Sequence, residues 1–300
     1  MEPAIAEIFE TAGCTGTLYA VSPADGRTVG VGADDLVVAA STIKVAIALE
    51  MLSQVADGTV DGESRMRLEP GDRTPGPVGI SLCNDGVELS IRDMVVLMLT
   101  LSDNVCTDAL TTVVGLDAVN ARLRRIGLEH TFVFSDLHTM IDSLGRDAGF
   151  ADFDDMTRWF ASDPDPAEAH SRESRLRAAA ALQPATATHT TARDMAQLLQ
   201  AIWEDTAGPA PACAELRRIM AHQLTRHRIA AGFDPGVQVA AKSGGLMGVV
   251  RAEVGVVTLG DGTAYAIAVF TRTDEPGADR RALDAAIGEV ARIAVEQLRS

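Results

Sequence analysis

The stretch VVAASTIKVAIALEML, residues 37 to 52, decides how the rest of the chain reads. From Ser41 to about Val55 the apolar residues Ile43, Ala46, Ile47 and Leu49, flanked by Val45 and Met51, fit a largely buried helix. Inside that apolar run sits Lys44, and lysine is almost absent elsewhere. Of 26 Lys plus Arg, all but Lys44 and Lys242 are Arg. Arginine stays protonated in proteins, whereas a desolvated lysine gives up its proton and acts as a base. Ser41 and Lys44 form an S-x-x-K pair at the helix start, where positions i and i+3 share a face. A serine there also gains from exposed backbone N–H groups and the helix dipole, which stabilise developing negative charge. The pair alone is a weak signal, because serine is a common residue.

Working outward, residues 3 to 12 read as a short helix. CTGTLYAVS and RTVGVGA alternate around Pro23-Ala24-Asp25-Gly26 and predict a hairpin. Residues 57 to 86, with Pro70, Pro75 and Pro77, read as turn-rich. SIRDMVVLMLTL, DNVCTDALTTVVG and LDAVNARLRRIG are amphipathic helical segments with polar or Gly boundaries. Residues 150 to 184 are locally acidic, carry Pro164 and Pro166 among others, and read as a helical insertion bearing Trp159 and Phe160. Two readings of it stay open, a lid over a site or a surface decoration. Its carboxylates Asp152, Asp154 and Asp155 read as a solvated face, with no calcium-loop pattern around them. TTARDMAQLLQAIWED is a further helix with Thr190 or Thr191 as N-cap. VQVAAKSGG, VVRAEVGVVTL and TAYAIAVFTR then predict an antiparallel meander, closed by a helix from about Asp279 to Leu298.

Strands at both ends with helices between give an α/β (α+β) fold. The expectation is a five-stranded antiparallel sheet flanked by the terminal helices, with an all-α subdomain inserted. The sheet domain takes residues 1–38 and 225–300, and the all-α domain takes 39–224. A net charge of −16 argues against nucleic acid and anionic membranes as partners, since both repel an acidic surface. A small-molecule substrate remains. Cys14, Cys83, Cys106 and Cys213 are scattered, with no CxxC pair and no His at ligand spacing, so no metal or other cofactor is expected. MEPAIAEIFETAG has neither a basic n-region nor an apolar h-region, which places the protein in the cytoplasm if Met1 is the natural start.

Two further motifs follow S-x-x-K. Ser102-Asp103-Asn104 lies between helical segments, where taken alone it reads as a helix cap. Lys242-Ser243-Gly244-Gly245 ends a β-run, an ordinary strand-to-turn transition by itself. Together, both lysines fall in Ser-containing motifs, in the order S-x-x-K, S-D-N, K-S-G. That set resembles the penicillin-recognising serine hydrolases, most closely their class A β-lactamase branch, and the order of elements is similar too.

The resemblance implies that Ser41 is the nucleophile and that Lys44 takes its proton, directly or through water. It implies that Ser102 relays a proton between Lys44 and Lys242, and that Asn104 holds the substrate amide. Lys242 would set the field of the site and Ser243 would bind a substrate carboxylate, with the N–H groups of Ser41 and Gly245 as oxyanion hole. Arg251, nine residues after Lys242, stands where many class A enzymes place an arginine for that carboxylate. A surface arginine on a strand is the competing reading. The pattern breaks at one place. The Glu-x-x-Leu-Asn loop that supplies the deacylation base in class A enzymes is missing, and near its position stand Leu137 and His138. His138 is a candidate substitute base, against the commoner reading of a lone His as an ordinary helix or loop residue, and Asp136, Asp142 and Glu173 are equal candidates. The expected activity is a serine hydrolase or acyltransferase that forms an acyl-enzyme at Ser41 on a small amide, lactam or ester. A true β-lactamase with a displaced base and a penicillin-binding sensor that stays acylated are the alternatives.

Overall fold

Both ends of the chain contribute strands to one sheet. The computed structural model describes residues 2–275 and 277–300. Helix α1 (Glu2–Thr11) leads into the hairpin β1 (Thr15–Val21) and β2 (Thr28–Val31), followed by a two-residue β3 (Val37–Val38). A 3-10 turn over Ala40–Ile43 runs directly into α2 (Lys44–Ala56). Then come β4 (Arg65–Leu68), β5 (Val87–Ser90), α3 (Ile91–Thr100), α4 (Asn104–Val114) and α5 (Leu116–Arg125). Helices α6 (Leu137–Asp147), α7 (Phe153–Ala161) and α8 (Pro166–Arg177) precede a short β6 (His189–Thr190), α9 (Ala192–Trp203) and α10 (Ala210–Met220). The chain closes with β7 (Gln238–Leu246), β8 (Val250–Thr258), β9 (Ala264–Arg272) and α11 (Arg280–Arg299).

The five-stranded sheet has the order β2-β1-β9-β8-β7, and every pairing in it is antiparallel. Its two faces follow from the period-2 alternation of strand side chains. Ala252, Val254 and Val256 of β8, with Ala266, Ala268 and Phe270 of β9, pack against the helical cluster formed by α2, α3, α4, α9 and α10. Leu18, Ala20, Val257, Ile267 and Val269 point the other way, onto Phe9 of α1 and Ile287, Val290 and Ala291 of α11. The expected sheet and its flanking terminal helices are therefore present. Strand β7 lies at the sheet edge.

Three expectations need correction. The segment read as turn-rich contains a ribbon, β4 paired with β5. Arg65 and Arg67 face solvent while Met66 and Leu68 turn to the core, but strands of four residues are too short to stand out beside Pro70, Pro75 and Pro77. Ser41 lies in the 3-10 turn rather than on α2 itself. The insertion does not fold its aromatics over the Ser41 cleft. Trp159 stacks edge-on to Phe160 with centroids 5.1 Å apart, Phe150 joins them, and the Arg172 guanidinium sits 4.3 Å above the Phe150 ring. Beneath them Leu144, Met156 and Leu176 pack against Val249 and Val250 of the β7–β8 turn, so the insertion braces that hairpin. Asp152 is used locally, its Oδ1 accepting from the Asp155 amide to cap α7.

Candidate active site

Lys44 is fully buried at the first position of α2. Its Nζ donates to the Ser102 carbonyl at 2.8 Å, to Ser102 Oγ at 3.3 Å and to Asn104 Oδ1 at 2.8 Å. Burial pushes its pKa down to about 7, against the pull of Asp103 and Asp108. Near neutral pH both protonation states are therefore populated. As a neutral amine it keeps two N–H donors for Ser102 O and Asn104 Oδ1, and its lone pair is left toward Ser102 Oγ at 3.3 Å.

The S-D-N turn is arranged around that ammonium. Ser102 has φ +65°, a left-handed conformation that costs an L-residue about 1 kcal/mol and here turns both its carbonyl and its hydroxyl to Lys44. Asp103 does the capping expected of this motif: Oδ1 accepts from the Cys106 amide at 2.9 Å. Its Oδ2 accepts from the Ile80 amide at 2.6 Å, tying the 75–82 loop to α4. Asn104 Nδ2 donates to Pro75 O at 2.8 Å, so its amide is fixed at both ends.

From the other side comes β7. Lys242 is also fully buried, and its Nζ donates to Ser243 O at 2.7 Å. Burial pushes its pKa well below the usual value, the charges of Lys44 and Arg228 push the same way, and Glu253 opposes them. The two lysines of the chain thus feel each other across one site. Gly244 lets the strand come this close: a Cβ there would lie 3.0 Å from Thr42 Cγ2 and 3.3 Å from the Ser41 nitrogen. Ser243 donates its amide to Gln223 Oε1 at the open strand edge, and its hydroxyl donates to Thr225 Oγ1 at 3.2 Å. Amides two residues apart leave a strand on the same side, so the Gly245 N–H also faces the open edge. Gly245 and Ser41 line one cleft together with Asn104, Asp108, Asp136 and Leu137.

Arg251 pairs in register with Gly245 but is no surface residue. Its Nε and Nη2 donate to Asp284 Oδ1 and Oδ2 at 2.8 and 2.5 Å. Arg228 Nε shares Asp284 Oδ1 at 2.7 Å, and its Nη1 donates to the carbonyls of Gly244 and Ala252. Two guanidinium groups thus share one carboxylate behind Ser243 and Gly245, with Glu253 also acting on Arg228.

The residues proposed from sequence for deacylation separate. Leu137 lines the cleft, whereas the His138 ring is largely exposed with Nε2 3.6 Å from Asp142 Oδ2 on the outer side of α6. Glu173 lies on the insertion, lining a different groove with Phe160 and Met247. Asp136 lines the cleft but caps α6, accepting from Thr139 N at 2.7 Å. Sequence reading missed Asp108, one turn after Asn104 on the same face of α4. Its Oδ1 accepts from Leu137 N at 2.8 Å, and its Oδ2 accepts from His138 N at 2.8 Å and Thr74 Oγ1 at 2.5 Å. Burial raises its pKa although these donors oppose the rise. Gln223, Glu253, Arg228 and Asp284 were also missed. Asp284 left one trace, an acid on the apolar stripe that runs to Ile287 and Ala291.

Comparison with known proteins identifies the family and the fold. The family model described as the beta-lactamase enzyme family matches residues 1–298. The beta-lactamase regulatory protein BlaB of Streptomyces cacaoi is 28% identical over 96% of this chain and 94% of its own length. A β-lactamase from Sphaerobacter thermophilus superposes with a TM-score of 0.77 at 26% identity, covering 99% of this chain and 96% of that one. PBP-A, solved as a leucine-to-glutamate mutant in an acyl-enzyme complex with penicillin G, shares the fold with a TM-score of 0.76 at 21% identity, over 99% and 96% of the two chains. With the model matched almost from end to end, the chain belongs to the beta-lactamase enzyme family.

Proposed function

We propose that this protein forms an acyl-enzyme at Ser41 with a small carboxylate-bearing lactam, amide or ester. The observation that carries the reading is Lys44, buried and held by Ser102 and Asn104 one turn from Ser41, where burial lowers its pKa to about 7. Neutral Lys44 takes the Ser41 Oγ proton as Oγ attacks the substrate carbonyl. The carbonyl oxygen, now anionic, is held by the Ser41 and Gly245 amides, a type of contact whose loss typically costs about 3 kcal/mol per donor. Ser102 Oγ passes the proton from Lys44 to the leaving nitrogen or oxygen, the acyl bond to that atom breaks, and the ester to Ser41 remains. Lys242 and Ser243 take the substrate carboxylate, and Arg251, committed to Asp284, stands behind them. Intact-mass measurement after incubation with benzylpenicillin tests this: the expected adduct has the mass of the whole lactam and disappears in Ser41→Ala. An undiminished adduct in that variant defeats the scheme.

A second reading concerns the fate of the acyl group, and a specific arrangement favours it. The acceptors nearest Leu137 are engaged: Asp108 holds the 137–138 backbone and Thr74, and Asp136 caps α6. Both carboxylates beside Leu137 are oriented by backbone and hydroxyl donors rather than toward a hydrolytic water, so on this reading deacylation is slow and the protein behaves as a penicillin-binding sensor. Its similarity to a regulatory protein supports the same reading. A persistent adduct is the expected result. Rapid loss of the adduct with multiple turnovers of penicillin points instead to a true β-lactamase, and acylation by a simple ester alone to a hydrolase of other acyl groups.

A further inference from the structure

Between the insertion and the β7–β8 turn runs a groove of about 330 Å³ that the mechanism above does not use. Small-molecule sites are of this size, mostly apolar with a few placed polar groups. The apolar wall is made by Met156 and Phe160 of α7, Leu176 of α8, and Met247 and Val249 of the turn. Met156, Leu176 and Val249 are buried in the packing under the insertion, so much of this wall is preformed. Met247 holds φ +49° ahead of Gly248 at φ +73°. A left-handed backbone is costly for a residue with a side chain, and such strain gathers where ligands are held. Leu246 lines the Ser41 cleft and Met247 lines the groove, so the two openings share one hairpin.

One polar group of the groove lacks a partner. Arg177, the last residue of α8, lines it, and its Nη1 is shut off from solvent with no hydrogen-bond partner among the described residues. Burying a charged donor without an acceptor is unfavourable. Arg172 on the same helix is not in this position, since it pairs with Glu168 and donates to Gly149 O at 2.9 Å. The charge of Arg177 is delocalised over its guanidinium, so a carboxylate bound on the groove side compensates the buried end as well. Glu173 lies one turn earlier and also lines the groove, but it supplies no acceptor to Nη1. It is exposed, and water screens its charge, so one negative charge is admitted and a second is disfavoured.

We propose that this groove binds a small monocarboxylate with an apolar body, its carboxylate on Arg177 and its hydrocarbon against Phe160, Met247 and Val249. The site is separate from the Ser41 cleft and does not depend on the acyl-enzyme reading.

The test is isothermal titration of the protein with 3-phenylpropanoate, and with 3-phenylpropan-1-ol, which has the same body and no charge. Saturable binding of the acid with a dissociation constant at or below about 1 mM is expected, with the alcohol at least about tenfold weaker. Arg177→Gln should weaken the acid at least about tenfold, whereas Glu173→Gln, which removes a like charge, should leave its affinity unchanged or raise it. Thr157 is an exposed residue of the groove, so Thr157→Phe fills the opening without entering the core, and binding is expected to vanish. Because the Ser41 cleft is also proposed to take a carboxylate, Ser243→Ala is the control and should bind as the wild type does. The inference is overturned by absence of binding, by equal affinity for acid and alcohol, or by a loss in Glu173→Gln. Wild-type affinity in Arg177→Gln or Thr157→Phe, or a loss in Ser243→Ala, overturns it too.

Discussion

Lys44 and Arg carry the same charge at low pH, yet only lysine surrenders its proton in a buried site. Lys44→Arg therefore separates charge from basicity. The variant is expected to acylate at least about a hundredfold more slowly, the usual worth of a positioned general base, with binding of substrate less affected. Stopped-flow acylation kinetics check this. The same residue fixes a sign for stability. Its folded pKa lies below the unfolded value, so the penalty for burying the ammonium is complete below about pH 7 and is relieved as pH rises toward 10.5. The rarity of lysine in the sequence found this residue and Lys242 together. Asp108 and Glu253 left no comparable mark, because Asp and Glu are common here and their importance lies in burial, which neighbours distant in sequence create.

Helix α4 and strand β7 are the elements that bring the motifs into register. Asp103→Ala removes the cap of α4 and strips the Ile80 amide of its acceptor, leaving two backbone donors of a buried site unpaired. A loss of about 2 to 3 kcal/mol in urea unfolding is expected. Gly244→Ala acts differently, pressing a methyl group toward Thr42 and the Ser41 amide. Acylation should fall about tenfold while the unfolding midpoint moves little, since a small misplacement at the reacting atoms is costly and the strand itself tolerates alanine. The long helices and the meander were legible because their apolar period is regular over many residues. The 3-10 turn under Ser41 was not, because a four-residue element has no period to read, and neither was the β4–β5 ribbon, whose four-residue strands are too short to stand out from the turns between them.

At the scale of the whole molecule, Asp284 joins the terminal helix to the sheet and to the segment carrying Arg228. Burial works against its charge, but Arg251 and Arg228 hold its carboxyl below the usual range. The sign follows: its contribution is present above the unfolded value near about pH 4 and is lost as pH falls through the lower folded value. Asp284→Ala leaves two largely buried guanidinium groups facing one another, and a cost of about 3 to 5 kcal/mol is expected, read from chemical unfolding at neutral pH. The chain-level plan, strands from both ends with helices between, was readable from the change of period along the sequence. The route of the insertion was not. Its sequence left a lid and a surface decoration both open, and the fold turns its aromatics onto each other and onto Arg172, leaving its aliphatic side chains to brace the β7–β8 turn.

The central claim is that the neutral amine of Lys44 activates Ser41. It is tested most directly by the acylation rate of the wild-type protein with benzylpenicillin, followed from about pH 5.5 to about pH 8.5 by stopped flow. The account predicts a rate that climbs with an apparent pKa of about 7. A rate that is flat across that range, or that falls as Lys44 loses its proton, would contradict it.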